Sequence, residues 1–426
     1  MSGETDVLVI GGGPAGSCAA ASAASCKDVR VMLVEEHGKV GWPNHCSGLI
    51  SSAGLHLVIK RIPGSCIENS VSKANFYSPS GYSFQVVRKK KNEMLVLKRP
   101  FLDQYLLEQA IKRGVEFFSE KKVTSVHKQA KSSSRLLNFA ELSSVESRRK
   151  KKTEKIQANV FIDTEGYKEK LSISHGFKKV NPDWKLPALQ YELENTPDLD
   201  RDAVDLYHGS FAPGFFAWII PTEKDCSRVG LAVSRQFLST VDCRRSLDRF
   251  IGKHPVASKK LKGYKVVKMR GGQVQGGGPR KTAVHGNMLL AGDVAGQVKA
   301  TTGGGVNIGS YCGYLAGKRA SQYASSDKRD QKILKAYDKD WKKLFYTELY
   351  LMALYRKIMG SLSDGLLDRL FKATMQSAFA SNLEKGGNVD LHSKMLLKAA
   401  INPQIIKEGL LQAPELLKLS LQALLD

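Results

Sequence analysis

Residues 6–35 read DVLVIGGGPAGSCAAASAASCKDVRVMLVE. DVLVI at 6–10 is a short β-branched apolar run, the pattern of a buried strand. GGGPAG follows, with Gly11, Gly13 and Gly16 at G-x-G-x-x-G spacing around Pro14 and Ala15. Residues 17–26 are small and Ala-rich, which suits a helix lying close on a sheet. VRVMLV at 29–34 reads as a second, parallel strand ending at Glu35. Strand, glycine turn, helix, strand and acid in this order predict a dinucleotide-binding unit. Gly11 permits the tight turn, Gly13 lets backbone approach a pyrophosphate, and Gly16 allows close helix–strand packing. The helix N-terminus faces the diphosphate, and Glu35 accepts hydrogen bonds from an adenosine ribose.

The rest of the chain bounds what this unit serves. It has 426 residues, 42% hydrophobic and 25% charged, as in a globular enzyme. No apolar run of about eighteen residues predicts a membrane span. The N-terminus has an acidic lead and no basic segment, so no signal peptide is expected. Seven cysteines are scattered without a C-x-x-C pair or ligand-like spacing with His, which argues against bound metal and a disulfide framework. A reducing, cytoplasmic compartment follows. The formal net charge is +24, with basic runs at 89–91 and 148–152. Such charge is either a solvated surface or an attraction for an anionic partner: a phospholipid surface, a phosphorylated substrate or an acidic electron-transfer protein. No nucleic-acid motif or aromatic platform is present, so no nucleic-acid partner is expected.

Further along, residues 71–98 hold short strand-like pieces, and PFLDQYLLEQAIKRG at 100–114 reads as a helix. Residues 127–155 read as a hairpin with an exposed, polar tip. Residues 186–275 are β-rich, interrupted by a helix at 242–261. LLAGDVAG at 289–296 is a second strand–turn signal, opening a helix over 303–324. There Gly292 delivers Asp293, whose carboxylate suits a ribityl hydroxyl. Gly304, Gly305 and Val306 in TGGGVNIG offer backbone N–H groups to a flat ring. This second signal makes the dinucleotide FAD. From 328 onward the pattern is helical, ending in a Leu-rich amphipathic segment. The predicted fold is α/β (α+β overall): a Rossmann-like FAD-binding domain, discontinuous over 1–70, 99–185 and 276–326, with an inserted antiparallel-sheet substrate domain at 71–98 and 186–275. A C-terminal helical region spans 327–426.

GGGPAG with Glu35, Arg99 in KRPFLDQYL, DTEG at 163–166 and the Gly292–Asp293 pair together resemble the para-hydroxybenzoate hydroxylase-type group of FAD enzymes. Within that group the chain is most similar to the geranylgeranyl reductases, including the archaeal enzymes that saturate isoprenoid chains of membrane lipids. HCSGLIS at 45–51 resembles the place where that family sets a cysteine and glycine beside the flavin. PGFFAWIIP at 213–221 resembles its PxxYxWxFP: Pro213, Trp218 and Pro221 match, while Phe216 stands for Tyr and Ile220 for Phe. DTEG departs from the usual ADG start. The resemblance implies cofactor contacts from Cys46, Ser47, Gly48, Arg99, Val123 and Asp163. It implies a prenyl-chain wall of Phe215, Phe216 and Trp218, and Cys46 as proton donor or ring-orienting residue. Reducing an unactivated C=C needs a hydride and a proton in a dry site, which these apolar side chains suit.

The expected substrate is a prenyl lipid or prenyl diphosphate, and the electron donor NAD(P)H or ferredoxin. No second G-x-G-x-x-G follows a strand, so no separate nicotinamide domain is predicted. A cytoplasmic monomer with peripheral membrane contact completes the expectation. Two other readings stay open. One is oxygenative, a flavin-dependent monooxygenase or halogenase: FxWxIP at 216–221 is similar to the halogenases' WxWxIP, without its first Trp. A related fold also serves prenyl-binding escort proteins that carry no flavin.

Overall fold

The computed structural model describes residues 2–88, 93–128, 138–144, 153–376 and 390. The strand Ser2–Ile10 lies inside an eight-stranded sheet, parallel to Thr153–Asp163 on one side and Val31–Val34 on the other. Met288–Leu290 continues the sheet in parallel beyond Thr153–Asp163, and Glu116–Phe118 does so beyond Val31–Val34. Val7 to Ile10, Val31 to Val34, Val160 to Ile162 and Met288 to Leu290 are all buried. A parallel sheet covered on both faces demands such continuous apolar runs.

Register decides where the site forms. Ile10 pairs with both Asp163 and Val34, and Asp163 pairs with Leu290. Four strands therefore end at one sheet edge, and Gly11, Glu35, Thr164 and Gly292 leave it side by side. Open α/β sheets bind ligands in the crevice at that edge.

The helix Pro14–Ala23 packs on Arg99–Ile111 and, most closely, on Val306–Ala324. A Cβ added at Gly313 would lie 2.1 Å from the Ala15 carbonyl oxygen, and one at Gly317 2.0 Å from that of Ala19. Small residues on both helices let the two backbones touch. The start of the long helix, expected at 303, falls at Val306, because Gly303 is left-handed at φ +71 and stays in the turn.

Residues 127–155 hold more than a hairpin. A strand Asn138–Ser144 lies between Lys121–Lys128 and Thr153–Asp163, antiparallel to both. Ala140 and Leu142 are buried two residues apart, a strand period hidden by polar flanks. The basic runs at 89–91 and 148–152 lie outside the described residues.

The second sheet has seven strands in the order Lys265–Gln275, Lys185–Glu194, Cys226–Ala232, Ala217–Pro221, Ala203–Tyr207, Lys73–Tyr77 and Ser83–Val87. It is antiparallel except where Ala203–Tyr207 runs parallel to Lys73–Tyr77. One face packs on the amphipathic helix Cys243–Lys253 through Leu247, Phe250 and Ile251. The other face carries Val204, Phe215, Phe216, Trp218 and Ile220.

The expected boundary at 99 is crossed. Met94–Leu97 leaves the large sheet and pairs with Leu49–Ser51 and Ile67–Val71 in a three-stranded sheet. Leu95 and Leu97 bury against Leu102 and Leu106 of the helix Arg99–Ile111, so that helix draws the strand away from the substrate side. The C-terminal part follows as helices Gln331–Trp341, Thr347–Met359 and Asp364–Gln376. The final Leu-rich segment lies outside the described residues. Among the described residues, no helix is long and apolar enough to cross a membrane.

Candidate active site

One cavity of about 1280 Å³ begins at the shared strand edge and runs between the second sheet and the C-terminal helices. At its nucleotide end, Gly11 turns left-handed at φ +99. A Cβ on Gly16 would sit 1.9 Å from the Gly11 carbonyl oxygen, whereas one on Gly13 would meet nothing within 4 Å. Gly16 thus serves helix–strand packing, and Gly13 opens backbone toward the cavity, as the spacing predicts. Glu35 accepts hydrogen bonds from the Gly12 N–H at 2.7 Å and the His37 N–H at 2.9 Å. Its carboxylate is thereby fixed at the lip of the cavity.

Glu36 lies beside it, between Lys122 and Lys168. Burial opposes its ionisation, but the two ammonium groups outweigh burial and hold its carboxyl down to about 2. A depressed folded-state pKa stabilises fully above the unfolded value of 4.5 and is lost as pH falls from there toward 2. Glu36→Gln is therefore expected to flatten the loss of stability across that acid window. Urea midpoints measured from neutral pH downward test it. An unchanged slope contradicts the assignment.

Arg99 binds Asp103 through two hydrogen bonds of 2.9 Å. Burial disfavours its charge, but Asp103 and the adjacent Cys46 sulfur hold its pKa high. Burial pushes the Asp293 carboxyl up, and Arg99 opposes that push. Arg99, Asp103, Cys46 and Asp293 all line the cavity. The start of the helix Arg99–Ile111 thus holds the HCSG loop and sets a cation whose charge reaches Asp293. Nothing in the local sequence around Arg99 singles it out; only the resemblance did.

Of the expected cofactor residues, Pro14, Ala15, Ser47, Val123, Gly292, Gly304, Gly305 and Val306 also line the cavity. Three do not. Gly16 packs against the turn. Gly48, at φ +84, lets the HCSG loop lie on the strand Met94–Leu97, since a Cβ there would be 2.4 Å from the Leu97 carbonyl oxygen. Asp163 is fully buried and accepts from the Glu165 N–H at 3.0 Å. Burial, reinforced by the nearby Glu165, pushes its carboxyl up. It is the last paired residue of its strand, so the chain reaches the cavity only with Thr164, Glu165 and Gly166.

Beyond the glycine loop the cavity turns apolar. A Cβ on Gly303 would fall 2.4 Å from Val274 and 3.8 Å from Phe215, so this loop abuts the start of the aromatic wall. Phe215 stacks on Phe216 at 4.3 Å, and Trp218 donates from Nε1 to Gln190 at 3.1 Å. Val204, Leu206, Met359 and Phe371 complete the chamber. His208 also lines it, and burial pulls its imidazole down to about 4, so it is neutral near pH 7. His45, a turn residue beside Cys46, lies against Gly272 of the second sheet's edge strand, and burial lowers its pKa. Sequence reading missed His208, Lys299 and the helix residues Met359 and Phe371. Nothing in a helical pattern marks which face roofs a cavity opened by residues far away.

The open backbone at Gly13, the anchored Glu35 and the glycine loop beside Asp293 fit a dinucleotide with a flat ring. Fold and site together define an FAD-dependent oxidoreductase. Residues 6–166 match the FAD dependent oxidoreductase family and residues 185–274 the geranylgeranyl reductase catalytic domain. The chain is an FAD-dependent oxidoreductase whose second part is similar to the geranylgeranyl reductase catalytic domain, and a flavin enzyme leaves no place for the flavin-free escort reading. It is 28% identical over 383 residues to the digeranylgeranylglycerophospholipid reductase of Methanocaldococcus jannaschii, covering 89% of this chain and 93% of that protein. A geranylgeranyl bacteriochlorophyll reductase-like structure from Thermoplasma acidophilum superposes with a TM-score of 0.83 at 24% identity, covering 96% of this chain and 99% of that one. A myxobacterial chondrochloren halogenase shares the fold more loosely, at TM-score 0.68 and 18% identity, over 99% of this chain and 96% of that one.

Proposed function

We propose that the protein saturates C=C bonds in the geranylgeranyl chains of membrane glycerophospholipids, or of prenyl diphosphates. One observation carries this reading: an apolar chamber leads away from the glycine loop, walled by Phe215, Phe216 and Trp218 and roofed by helices. A long hydrocarbon chain fits such a space. Bound FAD, held by the glycine turn, Glu35, Arg99 and Asp293, supplies the two-electron chemistry. NAD(P)H or reduced ferredoxin replenishes it. The walls hold the double bond in place and keep the site dry.

Cys46 supplies the proton that completes each saturated pair. Its sulfur faces Arg99 and receives the Gly48 N–H at 3.4 Å. Cys46→Ala is expected to retain FAD while losing turnover by about a hundredfold or more, the usual worth of a positioned acid. Full activity in that variant assigns the proton to another group.

The enzyme is a cytoplasmic monomer that visits the membrane surface. Supporting this, Trp42 is exposed, as are Val266, Val267 and Met269 along the edge strand Lys265–Gln275, and the Lys268 ammonium of that strand lies 5.8 Å over the Trp42 ring. Apolar side chains interleaved with cations favour an anionic lipid surface. Val267→Asp combined with Met269→Asp should cut co-sedimentation with phosphatidylglycerol vesicles about fivefold or more without changing the flavin spectrum. Undiminished sedimentation removes this surface from consideration.

The activity itself is tested anaerobically. Reduced enzyme is mixed with digeranylgeranylglyceryl phospholipid or geranylgeranyl diphosphate, and the products are weighed by mass spectrometry. Gains in steps of two hydrogens are expected. A flavin-loaded enzyme that adds hydrogen to neither substrate overturns the reading.

A further inference from the structure

Lys299 stands at the glycine loop and has no role so far. Its backbone closes that loop: the Lys299 N–H donates to Gly304, and the Gly303 N–H donates to Lys299 at 2.7 Å. Its side chain is 8% exposed as a residue and lies across Gly304, where a Cβ would fall 2.8 Å from Cε and 3.5 Å from Nζ. Nζ meets a carboxylate oxygen of Asp390 at 2.9 Å. Asn307 Nδ2 reaches the same carboxylate at 3.2 and 3.3 Å and donates to the Ser51 carbonyl at 3.0 Å. Burial disfavours the Asp390 anion, yet Lys299 and hydrogen bonds from Ser51 and Asn307 hold its pKa below the usual carboxylate range. The loop therefore carries a built anion site, now filled by the protein's own carboxylate. Asn307 Oδ1 is a buried acceptor with no hydrogen-bond donor among the described residues.

We propose that Lys299 stabilises the anionic, reduced form of the flavin, and that Asp390 tempers its strength. The pyrimidine edge of a flavin presents an N–H donor between carbonyl acceptors and carries the negative charge of the reduced ring. Lys299 offers the cation, and Asn307 offers its acceptor Oδ1, its two Nδ2 hydrogens being given to Asp390 and the Ser51 carbonyl. Charge near this edge is one of the protein's levers on flavin electronics. Lys299 is a binding and tuning residue on this assignment, distinct from the proton donor.

The test uses the full-length, FAD-loaded protein and no lipid, so its result is independent of the substrate reading. Sulfite is the probe. Its lone pair forms a bond to flavin N5, and the displaced electron pair comes to rest on the N1–C2 carbonyl edge. A cation there tightens the adduct. Lys299→Met is expected to weaken sulfite binding tenfold or more. It should lower the two-electron reduction potential by about 30 mV for a tenfold change. Lys299→Arg should keep sulfite affinity within about threefold and the potential within about 15 mV. Asp390→Asn should act in the opposite direction, tightening sulfite and raising the potential, and it stands as the deciding variant if Lys299→Met fails to hold FAD. Wild-type sulfite affinity and potential in Lys299→Met, or no change or weakening in Asp390→Asn, overturns the proposal.

Discussion

Gly16→Val is expected to give a colourless protein of low stability. The first added carbon would lie 1.9 Å from the Gly11 carbonyl oxygen and 2.6 Å from Thr164 Oγ1. Thr164 Oγ1 cannot easily withdraw, because it hydrogen-bonds the Ile10 carbonyl at 2.7 Å. The helix Pro14–Ala23 cannot retreat either, since Gly313 and Gly317 of the long helix already press backbone against its outer side. Overpacking at a site with no room to relax costs about 3 kcal/mol or more, a large fraction of a domain's stability. Urea midpoints and flavin absorbance of the purified variant measure it. Gly13→Ala is the control. Its Cβ enters open space, so stability should hold while FAD affinity falls. Equal flavin content in the Gly16 variant and the wild type contradicts the packing argument.

Arg99→Met is the second large effect. It leaves Asp103, with a side chain 5% exposed, without its two hydrogen bonds, and takes the nearest cation from Asp293. Removing one partner of a buried pair costs about 3–5 kcal/mol, because the remaining charge is stranded. Replacing both partners is far milder, since no charge is then left unpaired. Arg99→Met with Asp103→Leu should therefore recover much of the stability lost by Arg99→Met alone, yet not FAD affinity, because Asp293 still lacks its cation. A single variant as stable as the wild type refutes a structural role for the pair. A double variant that regains FAD removes Arg99 from the cofactor site.

These effects show how unevenly the molecule could be read in advance. The N-terminal unit was legible because each of its glycines answers a local constraint, and local constraints leave spacing behind. The second signal at Gly292 and Asp293 was legible for the same reason. Asp163 misled, because a motif counted along a chain does not say where a strand stops pairing. Met94–Leu97 looked like its β-rich neighbours, and only the helix after it decided its sheet. The chamber was half legible: an aromatic stripe marks an apolar face, but whether that face meets core or cavity depends on residues over a hundred positions later. Lys299 and Asn307 left no signature, because an ion site needs only one or two residues from each of several segments.

The seam between the helices Pro14–Ala23 and Val306–Ala324 bears on the order in which the protein is made. The glycine turn at 11–16 is made before the elements that complete its site, and its helix, though it packs on Arg99–Ile111, lacks its closest partner until Gly309, Gly313 and Gly317 have been synthesised. Thr164 and Gly292 join the same edge only as their own strands arrive. A nascent chain that stops short of the long helix therefore presents a small-residue helix with one side uncovered and an incomplete nucleotide cradle. Cofactor loading becomes a late event in biogenesis, and the yellow colour of the flavin reports that synthesis has passed the helix Val306–Ala324.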